Sequence, residues 1–160
     1  MKSDEPLKTN YAGAIYGTIL SMTVITTASS DEELGPMAIA GWAVATAFVF
    51  FLAHVYSSIV ARGFARPARA VSLIREESRH EWPMVQGALL PAAVLLLAPL
   101  GLVADDQASY LAVWTGVVML FGAGLVIGSK EKLSIGRSLI IGTINAIIGL
   151  LIVSLKIFIH

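Results

Sequence analysis

The sequence predicts an all-helical membrane protein: a single domain of five transmembrane helices, with a short cytoplasmic helix between the second and the third. Three observations predict this fold class. Apolar residues make up 56% of the 160 residues and charged residues only 14%, whereas a soluble domain carries about a quarter charged residues. The mean hydropathy is +0.78. The apolar residues also form five stretches, each near the roughly 20 residues that a helix needs to cross a bilayer.

The first two spans are predicted at residues 11–28 and 37–60. Thr9 or Asn10 precedes the first apolar stretch, and either side chain can cap a helix that begins at Tyr11. An acidic turn that ends in Gly35 and Pro36 separates the two spans. The second span is rich in phenylalanine and alanine, and the arginine-rich loop of residues 62–82 follows it.

The other spans are predicted at residues 83–103, 107–127 and 135–159. Trp82 and Pro83 mark the start of the third span, because tryptophan favours the membrane interface and proline favours the first helical turn. Pro91 and Pro99 predict bends inside this span, which are tolerated where neighbouring helices or water satisfy the freed carbonyl groups. An Asp105-Asp106 turn precedes the fourth span, and a short charged loop precedes the fifth.

The distribution of lysine and arginine predicts the orientation of the chain. With the N-terminus inside and the C-terminus outside, ten of the eleven basic residues become cytoplasmic and only Lys156 lies toward the outside. The ten are Lys2, Lys8, Arg62, Arg66, Arg69, Arg75, Arg79, Lys130, Lys132 and Arg137. Because cytoplasmic loops are enriched in basic residues, this bias predicts the N-in, C-out orientation.

The acidic end of the loop is the densest group of side chains that can bind an ion. On a helix, Glu77, His80 and Glu81 would share one face, and Glu76 would lie one turn from His80. Carboxylates and an imidazole suit a divalent ion such as iron(II), manganese or zinc. The alternative is a solvated helix at the membrane surface, in which nearby arginines pair with the same glutamates.

A second candidate site lies inside the spans. His54 is about 12 Å from Arg62 along the second span, and an ionisable side chain at that depth is a functional hypothesis. It would serve as a proton acceptor or a transient ligand in an ion path. The alternative is a neutral histidine hydrogen-bonded to Tyr16 or Asn145. Asn145 itself is typical of contacts between helices, and Gln86 would extend the polar site from the start of the third span.

Small residues recur at four-residue spacing in the first, fourth and fifth spans, which allows helices to approach closely in lipid. They are Gly13, Gly17 and Ser21, then Gly124 and Gly128, then Gly142 and Ala146. Packing inside one subunit and a homodimer interface both explain this pattern, with the first span as the candidate interface. The bilayer is the other expected partner, and no feature predicts binding to nucleic acid. The absence of cysteine excludes thiolate metal sites.

The order of these parts resembles the vacuolar iron transporter family. The stretch Val85-Gln86-Gly87-Ala88-Leu89-Leu90-Pro91 is similar to that family's third helix. The fifth span, from Gly136-Arg137 to Gly149, is similar to its last helix, and His54-Val55-Tyr56-Ser57 stands where the family has a Glu-Tyr-x-Ser-like stretch.

The resemblance implies a dimer that exchanges protons for iron(II) or manganese along a path between the first helices. It also implies that Glu76, Glu77 and Glu81 belong to a cytoplasmic metal-binding insertion, which is much shorter here. The family's membrane-embedded acid after an aromatic–glycine pair has no counterpart, because Tyr16-Gly17 is followed by Thr18.

These observations predict a divalent metal transporter of the cell membrane, with proton coupling as an option and the metal as substrate rather than cofactor. Two alternatives stay open. One is a non-transporting scaffold or accessory subunit that keeps the fold, and the other is a channel for another solute. No combination of nucleophile, base and acid predicts an enzyme.

Overall fold

The computed structural model describes the backbone of residues 10–31, 33–62 and 67–159, with side chains at residues 10–31, 33–62 and 71–154. Five helices cover most of these residues: α1 (Tyr11–Ala28), α2 (Pro36–Arg62), α3 (Pro67–Leu95), α4 (Asp105–Lys130) and α5 (Ile135–Ile159). Some of the basic residues from which the orientation is predicted lie outside the described residues: Lys2, Lys8 and Arg66, and the side chains of Arg69 and Lys156. Thr9, the alternative cap of α1, also lies outside them.

The all-helical fold class is confirmed. Within the described part of the chain, α1, α2, α4 and α5 are long and apolar enough to cross a membrane. The bounds of α1 and α5 are those predicted, and α2 and α4 extend the predicted spans by a few residues. These apolar helices indicate that the chain is a multi-pass helical membrane protein.

Helix α3 differs from the predicted third span at both ends. The polar segment and the apolar segment form one helix from Pro67 to Leu95, which passes through Pro83 without a break. The part from Pro83 to Leu95 rises only about 20 Å, less than the roughly 30 Å hydrocarbon core. Turns then cover residues 96–100, and Gly101 has a φ of 72°. Helical structure therefore ends before Val103, the predicted end of this span.

Helix α1 lies at the centre of the bundle and contacts all four other helices. It approaches α3 most closely at two glycines. A Cβ atom built at Gly17 would overlap the carbonyl oxygen of Met84, and one built at Gly87 would overlap that of Ala14. Because side chains larger than hydrogen do not fit, these glycines fix the distance between the two backbones.

Two hydroxyl groups of α1 contact the part of α3 that contains Pro91. Pro91 has no N–H group, so it cannot donate to the carbonyl of Gly87 four residues earlier. The Thr18 Oγ1 hydroxyl shares its one proton between this carbonyl oxygen, at 3.1 Å, and that of Ala14 in its own helix, at 2.9 Å. The Ser21 hydroxyl donates to the carbonyl oxygen of Ala88 at 3.2 Å. A neighbouring helix thus offers a donor to the freed carbonyl, which is one of the ways in which a proline inside such a helix is tolerated.

We expect the Thr18→Val variant to lose about 1 kcal/mol of unfolding free energy, because the Gly87 carbonyl then stays unpaired in an apolar environment. Thr18→Ser keeps the hydroxyl, and Thr23→Val removes one that bonds only to Ile19 of its own helix. Both controls should stay close to wild type when helix content is followed during denaturation in mixed micelles. If Pro91→Ala, which restores an N–H donor, fails to reduce the effect of Thr18→Val, the assigned role of Thr18 is wrong.

The small residues predicted at four-residue spacing in the fourth and fifth spans also form contacts within the chain. Gly124 of α4 lies against the backbone of Gly142 in α5, and Gly128 lies against Ser138. In the first span, Gly17 and Ser21 likewise contact α3, whereas Gly13 lies against the side chain of Asn10, the cap of its own helix. Packing inside one subunit therefore explains these small residues.

Candidate functional site

Two glutamates of α3 are buried, which is uncommon for this residue type. Glu77 is 2% exposed and Glu81 is 8% exposed, and they are the only buried charged residues in the described part of the chain. They are four residues apart, so they share the face of α3 that packs against α1 and α2. The helix thus places two carboxylates inside the bundle at the polar end of α3.

Arg62, at the C-terminal end of α2, contacts Glu77 of this pair and the neighbouring Glu76. Its Nη2 atom lies 2.7 Å from Glu77 Oε1, and its Nη1 atom lies 3.7 Å from Glu76 Oε1. The Glu77 oxygen is close to the guanidinium but outside hydrogen-bond alignment, so this buried atom has an ionic partner and no hydrogen bond. Because the Arg62 side chain is 52% exposed, water screens part of the attraction.

Asn10 links Glu81 to the start of α1. Its Oδ1 atom accepts a hydrogen bond from the Gly13 N–H group at 2.8 Å, which caps the helix as predicted. Its Nδ2 group donates to Glu81 Oε2 at 3.2 Å. Glu81 therefore has a neutral partner, and the guanidinium of Arg62 contacts Glu77 but has no described contact with Glu81. Among the described residues, the acidic groups here outnumber the basic ones, which makes the region attractive to a cation.

The four predicted metal ligands differ in their surroundings. Glu76 is exposed, His80 is partly buried, and Glu77 and Glu81 are buried. Among the described residues, no three His, Asp or Glu side chains come together in a way that could hold a metal ion. The structure thus provides a buried pair of carboxylates rather than a complete ligand set, and metal binding by these residues stays a prediction.

His54 of α2 lies beside α1 at the side of the bundle. Its Nδ1 atom is 2.9 Å from the carbonyl oxygen of Phe50, one turn earlier. Since a carbonyl can only accept, Nδ1 carries the proton in this contact. The imidazole ring lies 5.5 Å from the ring of Tyr16, which also contacts Phe50 at 6.1 Å between centroids. His54 therefore bonds to its own helix. Among the described residues, it forms no hydrogen bond with Tyr16 or Asn145.

The remaining predicted path residues lie on different parts of the surface. Gln86 is exposed on α3, and Asn145 is partly buried on α5. No hydrogen bond of the described residues joins either side chain to His54. The structure thus brings Tyr16 and His54 together. Among the described residues, no contact joins Gln86 or Asn145 to them.

Sequence reasoning missed Arg62 and Asn10 as members of the site. It used Arg62 for orientation and Asn10 as a helix cap. The sequence did carry a signal for both residues. Arg62 ends α2 and Asn10 precedes α1, and each of these helix ends lies level with the acidic segment. Their contacts with Glu77 and Glu81 depend on helix packing, which spacing in the sequence does not show.

No family model, curated protein or solved structure matches this chain. Its class, a helical membrane protein, therefore follows from its own helices.

Proposed function

We propose that this chain transports a divalent metal ion, iron(II) or manganese, across the cell membrane. The observation that carries the proposal is the buried pair of Glu77 and Glu81, for which the described residues supply one ionic partner, Arg62 at Glu77. Burying carboxylates without full compensation is costly, so such a pair at the mouth of a membrane bundle is a candidate site of ion capture. Oxygen ligands also suit divalent first-row ions. Water and one further side chain would complete the coordination of an ion between the two carboxylates.

The proposal includes five spans, the N-in, C-out orientation and a cytoplasmic position for residues 62–82. The basic residues of the sequence support this orientation. In this arrangement Glu77 and Glu81 lie at the cytoplasmic mouth, where Glu76 and His80 are close enough in sequence to assist ion capture.

His54 is the proposed proton-linked residue within the membrane. Its Nδ1 atom faces the Phe50 carbonyl, which leaves the Nε2 lone pair available to accept a proton or a metal ion. Tyr16 lies next to it, and Asn145 and Gln86 are proposed as further polar positions along the path.

We also propose that two copies associate. Because the small residues of α1 already pack against α3, the copies would meet through the outer face of α1. Ala12, Tyr16 and Thr23 are exposed on that face. These side chains include polar groups that a second protein surface would shield from lipid.

A non-transporting scaffold is the second candidate. It is favoured by the contact between Arg62 and Glu77, which resembles a structural ion pair joining α2 to α3. The lack of a three-ligand group among the described residues also favours it. In this case the glutamates would stabilise the bundle and no ion would cross.

Metal flux into proteoliposomes separates the two candidates. With an imposed proton gradient, we expect the intact protein to move iron(II) or manganese. Glu77→Gln, Glu81→Gln and His54→Ala should each lower the rate by about tenfold or more, as expected when a metal ligand or its support is lost. Glu131→Gln removes an exposed acidic group between α4 and α5 and should retain the wild-type rate.

Folded, reconstituted protein that moves neither metal would refute the transport proposal and support the scaffold. Equal loss of transport in Glu131→Gln would show that the effect is not specific to the buried pair. Circular dichroism of each variant in detergent checks that its helices are intact before the flux is compared.

A further inference from the structure

The exposed face of α3 changes character along its length. Arg75 and Arg79 come first, Trp82 follows, and Leu89 and Leu90 come after it. All five side chains are exposed, with Trp82 at 44%, Leu89 at 44% and Leu90 at 52%. The same helix face therefore passes from cationic, through an aromatic residue typical of the membrane interface, to apolar.

An open groove of about 450 Å³ lies at the cationic end. Its lining residues are Arg75, Ser78, Arg79 and Trp82. These are spaced by three or four residues, so they form one surface of the helix. The groove thus combines two guanidinium groups and a hydroxyl with an indole ring.

The groove is electropositive because its arginines do not pair with the glutamates of the same helix. Residues two apart on a helix differ in direction by about 200°, so Arg75 and Arg79 point away from Glu77 and Glu81. Among the described residues, the ion pairs of Glu76 and Glu77 are with Arg62, and no described carboxylate lies within 4.0 Å of either groove arginine. Both guanidinium groups therefore remain available to an anion.

Trp82 is held in place by α2. Its ring meets that of Phe51 edge to face, with centroids 5.7 Å apart and an interplanar angle of 85°. One side of the indole is fixed by this contact while the other borders the groove. The ring is thus preorganised as one wall of the groove.

The length of the face matches one membrane leaflet. Arg79 and Leu90 are eleven residues apart, or about 16 Å along the helix, and half of the hydrocarbon core measures about 15 Å. A molecule with its charge at Arg79 would place hydrocarbon beside Leu90. A free phosphate would leave this apolar part of the face unused.

We propose that this face of α3 binds an anionic phospholipid. The phosphate lies between the Arg75 and Arg79 guanidinium groups and accepts a hydrogen bond from the Ser78 hydroxyl. The glycerol region borders Trp82, and an acyl chain runs along Leu89 and Leu90. Guanidinium groups suit this role because they bind phosphate in a bidentate manner. The site does not depend on whether the chain transports metal.

Native mass spectrometry of the delipidated full chain tests the proposal, with phosphatidylglycerol and phosphatidylcholine as probes. Phosphatidylglycerol should bind more tightly. The Arg75→Gln/Arg79→Gln variant should lose about 30-fold in affinity, as expected for two basic residues at a membrane surface. Arg75→Lys/Arg79→Lys keeps the charge but not the bidentate geometry, so it should lose less affinity than the glutamine variant. Lys130→Gln/Arg137→Gln, which removes the same charge elsewhere, should bind like wild type.

Three results would overturn the proposal: equal affinity for the two lipids, unchanged binding by the Arg75→Gln/Arg79→Gln variant, or an equal loss in the Lys130→Gln/Arg137→Gln control. Competition by inorganic phosphate or glycerol phosphate at concentrations similar to the lipid would instead indicate a site for a free anion. If the double variant does not fold, Arg79→Gln alone should lose about fivefold, and unchanged binding by that variant would be equally decisive.

Discussion

Replacing Gly17 by alanine is expected to destabilise the protein by about 3 kcal/mol or more. The added Cβ atom would overlap the carbonyl oxygen of Met84, a backbone atom in the middle of α3. A backbone cannot rotate aside as a side chain can, so α1 and α3 must separate along their contact. Overpacking at a rigid site has a cost of this size. Unfolding in mixed micelles, followed by helix content, measures the change.

Gly122→Ala is the matched control for Gly17→Ala. Gly122 also lies inside a helix, but a Cβ atom there would meet nothing within 4 Å. Alanine should stabilise α4 by a few tenths of a kcal/mol, up to about 1 kcal/mol, through its higher helix propensity. A Gly17→Ala variant that is as stable as wild type would show that α1 and α3 are farther apart than described.

The second large effect is expected at Arg62. Arg62→Met leaves the buried Glu77 carboxylate without an ionic partner and should lower the free energy of unfolding by about 2 kcal/mol. Breaking a fully buried pair costs roughly 3–5 kcal/mol. The lower value follows because the Arg62 side chain is about half exposed, so water partly replaces it.

A double variant distinguishes the ion pair from simple loss of packing. Arg62→Met/Glu77→Met removes both charges and should recover most of the lost stability, since apolar replacement of a buried pair is often neutral or stabilising. Glu76→Gln should change stability by no more than about 0.5 kcal/mol, because Glu76 is half exposed and 3.7 Å from Arg62. If the double variant is less stable than Arg62→Met alone, burial of the Glu77 carboxylate does not require the positive charge of Arg62.

The sequence predicted the membrane helices well because their signal is local. Tyr11 follows a capping residue, and Ile135 follows a short polar loop, so α1 and α5 begin where composition changes. For α3 the sequence predicts a short cytoplasmic helix and then a span that opens at Pro83, because proline favours the first helical turn, whereas the structure joins the two segments into one helix. In the structure Pro83 lies inside the helix, where it removes one backbone hydrogen bond without breaking the helix.

The sequence predicted the contacts of the candidate site less well than the helices. The arginines nearest to Glu77 in sequence, Arg75 and Arg79, were the expected alternative partners, yet the described partner is Arg62 from another helix. Helical periodicity did place Glu77 and Glu81 on one face. It could not show that this face is buried, because burial depends on how α1 and α2 pack against it.

The hydrogen bond from Thr18 to Gly87 has a consequence for how the chain is made. Gly87 follows Thr18 by 69 residues, so a ribosome adding roughly 5–20 residues per second needs roughly 3 to 14 s to supply the acceptor. During this interval the Thr18 hydroxyl can donate to Ala14 of its own helix, which it also contacts at 2.9 Å. Helix α1 can therefore remain in lipid with the Thr18 hydroxyl satisfied, and pack against α3 once α3 has been synthesised.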